Sequence, residues 1–170
     1  MNSDQRIVAI GAASGVVLMS ASVWMLTQAL PVPGISGPGD RLAYALQATL
    51  FAMLPLFIMI AAVGNSRFLS EAIDPTRHAE SRSMEIDGRV VDNTLQQSFV
   101  FAIASLALST VVPVRHLQTV WACAIVFVVA RACFWWGYRV NPLYRAPGMA
   151  ATAYMNLGMM AYVLFRTFAD

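Results

Sequence analysis

The stretch LQTVWACAIVFVVARACFWWGYRVNPLYR, residues 117–145, decides the fold. Its first fourteen residues, Leu117 to Ala130, carry no charge, and then Arg131 interrupts a run that continues apolar and aromatic to Tyr138. About 20 residues of helix cross the hydrocarbon core of a bilayer, so Leu117–Tyr138 is long enough to span it. A guanidinium inside such a run is costly unless a partner from a neighbouring helix meets it. The stretch therefore points to a membrane helix that belongs to a bundle.

The rest of the chain agrees. Charge-free runs cover Ile7–Leu30, Leu42–Ser66, Asn93–Val114 and Ala146–Phe165, giving five expected membrane helices with Leu117–Tyr138. Of 170 residues, 58% are hydrophobic and 12% are charged, against about 25% charged in a soluble domain. That is too little charge for a water-facing surface. All eleven basic residues are arginine, and against nine carboxylates they leave a net charge of +2, which gives no case for a nucleic-acid partner. The MNSDQR start is weakly basic and its apolar run exceeds the 7–15 residues of a signal peptide core, so the first helix is read as retained.

Proline and glycine punctuate the runs. PVPGISGPGDR, residues 31–41, ends the first helix, and Val112-Pro113-Val114-Arg115 and Asn141-Pro142 make reversals. Residues 67–92 form the main polar segment, read as a short interfacial helix and a turn whose second half runs into the next membrane helix. Five spans put Arg6, Arg67, Arg77, Arg82, Arg89, Arg139 and Arg145 on one side and Arg41, Arg115 and Arg166 on the other. The richer side is expected to be cytoplasmic.

Two clusters can carry chemistry. Arg89, Asn93 and Gln96 share a helix face at i, i+4 and i+7, a cation followed by two amides. Arg131 and Tyr138 share another, with Phe134 or Trp135 between them, and Arg145 follows seven residues later, just ahead of Pro147. A guanidinium beside a helix N-terminus suits an anion or a thiolate. Trp135 and Trp136 read as an interfacial aromatic belt. The carboxylates Glu71, Asp74, Glu80, Glu85 and Asp87 interleave with arginines and read as a solvated or headgroup-facing surface. Cys123 and Cys133 would lie about 15 Å apart on one helix, too far to bridge, and are read as packing residues. His78 and His116 fall on opposite sides, and no metal motif is present.

The pattern RxxxNxxQ over residues 89–96, followed by RxxxxxGYxxxxxxR over residues 131–145, resembles the MAPEG family of microsomal glutathione transferases and leukotriene C synthase. The resemblance covers residues 42–168. It implies an all-α integral membrane bundle: a four-helix domain over residues 42–170, with residues 1–41 an additional N-terminal transmembrane helix and linker. It further implies a homotrimer in the bacterial inner membrane with glutathione as co-substrate, bound between subunits near the cytoplasmic face. Arg89, Asn93, Gln96, Arg131 and Tyr138 would then bind glutathione, and Arg145 would stabilise its thiolate for attack on a hydrophobic electrophile. Two positions depart from the pattern. Gln96 stands where the family commonly has Glu, and Phe134 where it commonly has Tyr, removing one ion pair and one hydroxyl from the implied site. The family also holds a non-enzymatic lipid-binding member. The alternative expectation is therefore a non-catalytic protein that binds lipid or serves as an accessory subunit of a larger membrane complex.

Overall fold

The computed structural model describes residues 1–35, 37–74, 76 and 79–169. Arg77, counted above for orientation, and His78 lie outside the described residues. Among the described residues there are six α-helices: α1 Ser3–Ala29, α2 Pro38–Ala52, α3 Leu54–Phe68, α4 Arg82–Val111, α5 Thr119–Val140 and α6 Ala146–Ala169. Short 3₁₀ turns at Glu71–Ile73, Val114–His116 and Pro142–Arg145 connect them, and no strand occurs among the described residues. Taken by length and composition, α2 and α3 together make one crossing, so five crossings are present among the described residues. The protein is an integral membrane helical bundle.

Local chemistry sets the helix ends. Asn2 and Gln5 cap α1 reciprocally, with Gln5 N–H donating to Asn2 Oδ1 at 2.8 Å and Asn2 N–H to Gln5 Oε1 at 3.0 Å. Pro38 opens α2 within its first turn, where a missing N–H costs nothing. Ser81 caps α4, accepting from Met84 N–H at 3.4 Å.

One boundary differs from the sequence reading. The run Leu42–Ser66 is not one unbroken helix, because it breaks at Met53, two residues before Pro55. The Pro55 ring cannot donate to the Phe51 carbonyl and collides with it, so Met53 closes α2 by donating to the Thr49 and Leu50 carbonyls at 3.1 Å. As read from the sequence, the second half of residues 67–92 runs into the next membrane helix: α4 starts eleven positions ahead of its apolar run and holds 30 residues. A helix of that length measures about 45 Å against a hydrocarbon core of about 30 Å, so its first turns project beyond the core. Those turns carry Arg82, Glu85, Asp87 and Arg89.

The core sits where α2, α4, α5 and α6 meet. Ala45, Ala48 and Ala52 let α2 approach Phe101, Leu108, Val120 and Phe127, and the Phe101 and Phe127 rings lie 4.6 Å apart. Thr49 and Ser105 share a buried hydrogen bond of 2.7 Å between α2 and α4, a polar tie of the kind that joins membrane helices. Gly148 permits the closest approach of α6 to α5, since a Cβ there would fall 2.5 Å from the Ala130 carbonyl oxygen. α1 packs outside this core, mainly on α6 and also on α5.

The arginine-rich segments meet at one end of the bundle. Arg67 pairs with Glu80, Arg139 with Asp87, and Leu143 lies beside Asn2 and Gln5. At the opposite end Arg41 donates through Nε to the Ser109 carbonyl at 2.7 Å and through Nη2 to the Val112 carbonyl, covering the last carbonyls of α4.

Candidate functional site

The site is built at the arginine-rich end, where α5 stops and the chain folds back into α6. Asn141 drives the reversal: its Oδ1 accepts from Leu143 N–H at 2.9 Å and its carbonyl from Tyr144 N–H at 2.8 Å. The returning backbone lands on Gly137, where a Cβ would collide with the Tyr144 carbonyl group and lie 2.9 Å from its carbon. Gly137 is thus required by close approach. The fold-back sets Arg145 against Tyr138, and Arg145 Nη1 donates to the Tyr138 hydroxyl at 2.9 Å.

A column of cations and rings runs inward from there. The Arg145 guanidinium lies 5.0 Å from the Tyr138 ring centroid, the Tyr138 and Phe134 rings meet edge to face at 5.8 Å, and Arg131 stacks on Phe134 at 4.0 Å. Phe134 lacks the hydroxyl of the family pattern but supplies the face on which Arg131 rests. Residues three and four apart on α5 fall in line, which makes this column possible.

Arg145 and Tyr138 open onto a cavity of ≈ 230 Å³ whose other walls include Arg82, Glu85, Ile86 and Arg89 of α4. Three guanidiniums face one carboxylate there, so the space is cationic. Arg89 and Glu85 also border a second cavity of ≈ 610 Å³ between α3 and α4, alongside Arg67, Glu80 and Asp92. Arg89, Tyr138 and Arg145 border one cavity within a single chain, whereas the family resemblance implied that Arg89 and Tyr138 come from neighbouring protomers.

The remaining expected residues lie elsewhere. Arg131 is fully buried at 0% exposure, and its Nη1 donates to Asn93 Oδ1 at 3.0 Å. Its Nε and Nη2 have no acceptor among the described residues, and neither do the buried hydroxyls of Thr94 and Ser98 have partners there. Arg131 is therefore sealed inside the bundle with the half-buried Asn93 as its acceptor, and neither lines the cationic cavity. Gln96 is exposed on α4 and is not among the residues that line that cavity.

Replacing a sealed cation and replacing its acceptor should have opposite effects. Arg131→Met removes a desolvated charge held by one hydrogen bond and is expected to leave the thermal midpoint unchanged or raise it. Asn93→Leu leaves that charge with no hydrogen-bond acceptor and should cost about 2–3 kcal/mol, read as a lowered midpoint in detergent.

Sequence reasoning missed the residues that tie the site's two helices. Asp87 is 3% exposed, not a solvated surface group as expected. Its Oδ1 accepts from Trp135 Nε1 and from Arg139 Nε, each at 2.8 Å, and its Oδ2 from Arg139 Nη2 at 2.5 Å. Arg139 also lies 5.1 Å from the Trp135 ring centroid. Trp135 is half-buried and gives its indole N–H to Asp87, whereas Trp136, one position on and 76% exposed, faces outward as a belt residue does. Helical spacing explains the split, since neighbours point about 100° apart. Arg82 and Glu85 were also missed as site residues, although their spacing from Arg89, at i, i+3 and i+7, places all three on one face.

Both cysteines are free, Cys123 buried and Cys133 exposed. No group of three metal-ligating side chains occurs among the described residues.

The sequence model of the MAPEG family matches residues 45–165. The chain belongs to the MAPEG family. The match takes in α3 to α5 whole, all but the first turns of α2 and all but the last turn of α6, and leaves α1 outside. Both the Arg89-to-Gln96 segment and the Arg131-to-Arg145 segment lie within it. No match was found among curated proteins or among solved structures.

Proposed function

We propose that this MAPEG protein binds glutathione in the cationic cavity and works as a membrane-bound transferase or peroxidase on hydrophobic electrophiles. The observation that carries the reading is the Arg145 guanidinium bonded to the Tyr138 hydroxyl, with Arg82 and Arg89 facing them across ≈ 230 Å³. Glutathione has two carboxylates and one thiol. The flanking arginines suit the carboxylates, and a guanidinium beside the thiol favours its ionised form. Tyr138 accepts from Arg145 and so keeps its own O–H for a second partner, which a thiolate sulfur can be. In conjugation the thiol proton leaves to water, the sulfur attacks the electrophilic carbon, and the leaving group departs with its bonding pair.

Gln96 supports a homotrimer. It is exposed on a membrane helix, and a primary amide facing hydrocarbon is unfavourable unless another protein surface meets it. A second copy would supply that surface and complete the cavity between subunits. The charge bias supports a cytoplasmic placement of the arginine-rich end, and with it the site, in what we take to be a bacterial inner membrane.

A second reading is a non-catalytic member that binds lipid or serves a larger complex. The sealing of Arg131 favours it, because a glutathione site that draws on Arg131 needs the bundle to open. Calorimetric titration of glutathione into the detergent-purified protein, followed by an assay with a chloronitrobenzene, separates the two. Saturable binding with release of chloride is expected. No heat of binding at millimolar glutathione would leave the second reading standing.

A further inference from the structure

α1 lies outside the family match, yet it packs along the bundle, with Met19, Val23 and Leu26 against the core and a close contact toward each end. At the inner point Gly11 and Gly15 ride on Pro147, where a Cβ on Gly15 would fall 2.7 Å from the Pro147 Cα. At the outer point Gln118 Nε2 donates to the Thr27 carbonyl at 3.2 Å, and the Thr27 and Thr119 hydroxyls meet at 3.4 Å. About 18 Å of α1 separates Gly15 from Thr27. Along that length a cavity of ≈ 660 Å³ opens beside α1 and α6, the largest among those described.

Its walls are apolar. Val16, Met19 and Val23 of α1 face Met155, Gly158 and Met159 of α6, each set at the three- and four-residue spacing of a single helix face. Its depth along either helix is about 10–12 Å, close to the thickness of one bilayer leaflet. At the end away from Arg145, the wall includes His116 of the α4–α5 turn. Arg115 Nε donates to His116 Nε2 at 3.2 Å, so a neutral His116 carries its proton on Nδ1, and both side chains are exposed. None of the described lining residues is acidic. The space therefore has a greasy body, with His116 in its wall and the Arg115 guanidinium bonded to His116 beside it, and its volume falls within the ~300–1,000 Å³ usual for small-molecule sites.

We propose that this cavity binds a single-chain fatty acid, with the acyl chain between α1 and α6 and the carboxylate held by Arg115 and His116. One slot accepts one chain, and the Arg115 guanidinium with the His116 Nδ1–H accepts one anionic head. The site is separate from the glutathione reading: it stands at the opposite end of the bundle and uses none of the same residues.

The fluorescent fatty acid cis-parinarate tests it on the full chain in nonionic detergent, with no glutathione present. Saturable binding of one probe per chain, displaced by palmitate, is expected. Gly158→Leu is the sharpest variant, because a Cβ on Gly158 meets nothing within 4 Å and the longer side chain enters the open space. It should weaken binding about tenfold or more while leaving the elution volume of the protein unchanged. Ser20→Leu fills the same space from α1 and should act alike. Replacing Arg115 and His116 together by Ala should weaken the acid about tenfold and leave the methyl ester of the probe unaffected. Non-saturating uptake, equal affinity in both filling variants, equal affinity for acid and ester in the unaltered protein, or displacement by phosphatidylglycerol but not palmitate would each overturn the proposal.

Discussion

Arg139→Met is expected to lower the thermal midpoint by about 6–12 °C, more than any other single change outside the apolar core. The reason is what it leaves behind. Asp87 is buried, and without Arg139 its carboxylate keeps one donor, the Trp135 indole N–H. Removing one partner of a buried pair costs about 3–5 kcal/mol, and the lower end applies because the Arg139 side chain is 49% exposed and partly screened. For a chain of this size each kcal/mol shifts the midpoint by about 2–4 °C. Asp87→Asn should do less, since Arg139 can turn to water once the carboxylate is gone. The double change Asp87→Leu with Arg139→Met should recover most of the loss, because no charge is then stranded. Differential scanning fluorimetry in one detergent checks all three. A midpoint that falls no further for Arg139→Met than for Asp87→Asn would show that the carboxylate finds other donors.

That network bears on how much of this protein can be read from its sequence. The five crossings are legible because hydrocarbon is a harsh solvent, and any long charge-free run must answer to it. Arg145 is legible for a related reason: Asn141, Pro142 and Gly137 fix a tight fold-back within fifteen residues, so the contact with Tyr138 is local. The Asp87–Arg139 pair is not local. The two residues are brought together by the packing of α4 on α5, and a run such as RSMEIDGR reads equally well as a solvated surface. The break at Met53 was hidden because an apolar run continues across it, and Pro55 alone carried the signal. Arg131 shows the limit most sharply. It shares a motif with Arg145, yet it turns inward to Asn93 and the Phe134 face, a choice made by the packing of α4 on α5 rather than by spacing.

Arg145→Ala is expected to reduce glutathione conjugation by about a hundredfold or more while shifting the thermal midpoint little. Arg145 is exposed and its one side-chain hydrogen bond runs to Tyr138, so the fold loses little when it goes. The chemistry loses more. A free thiol with a pKa near ~8.5 is a few per cent ionised at neutral pH, and a cation at hydrogen-bonding range raises that fraction. Losing the cation returns the sulfur to its solution behaviour, so the activity lost at neutral pH should be regained in part as the pH rises toward that of the free thiol. Tyr138→Phe separates positioning from charge. It removes the acceptor that holds Arg145 and the O–H offered to sulfur but keeps the guanidinium, so a loss of about tenfold is expected, without the alkaline recovery. The ultraviolet absorbance of bound thiolate gives a readout independent of turnover: it should vanish in Arg145→Ala and persist, weakened, in Tyr138→Phe. An Arg145→Ala protein that conjugates at the original rate would mean the thiol is ionised by Arg82 or Arg89 across the cavity, and the two α4 arginines would then be the ones to replace.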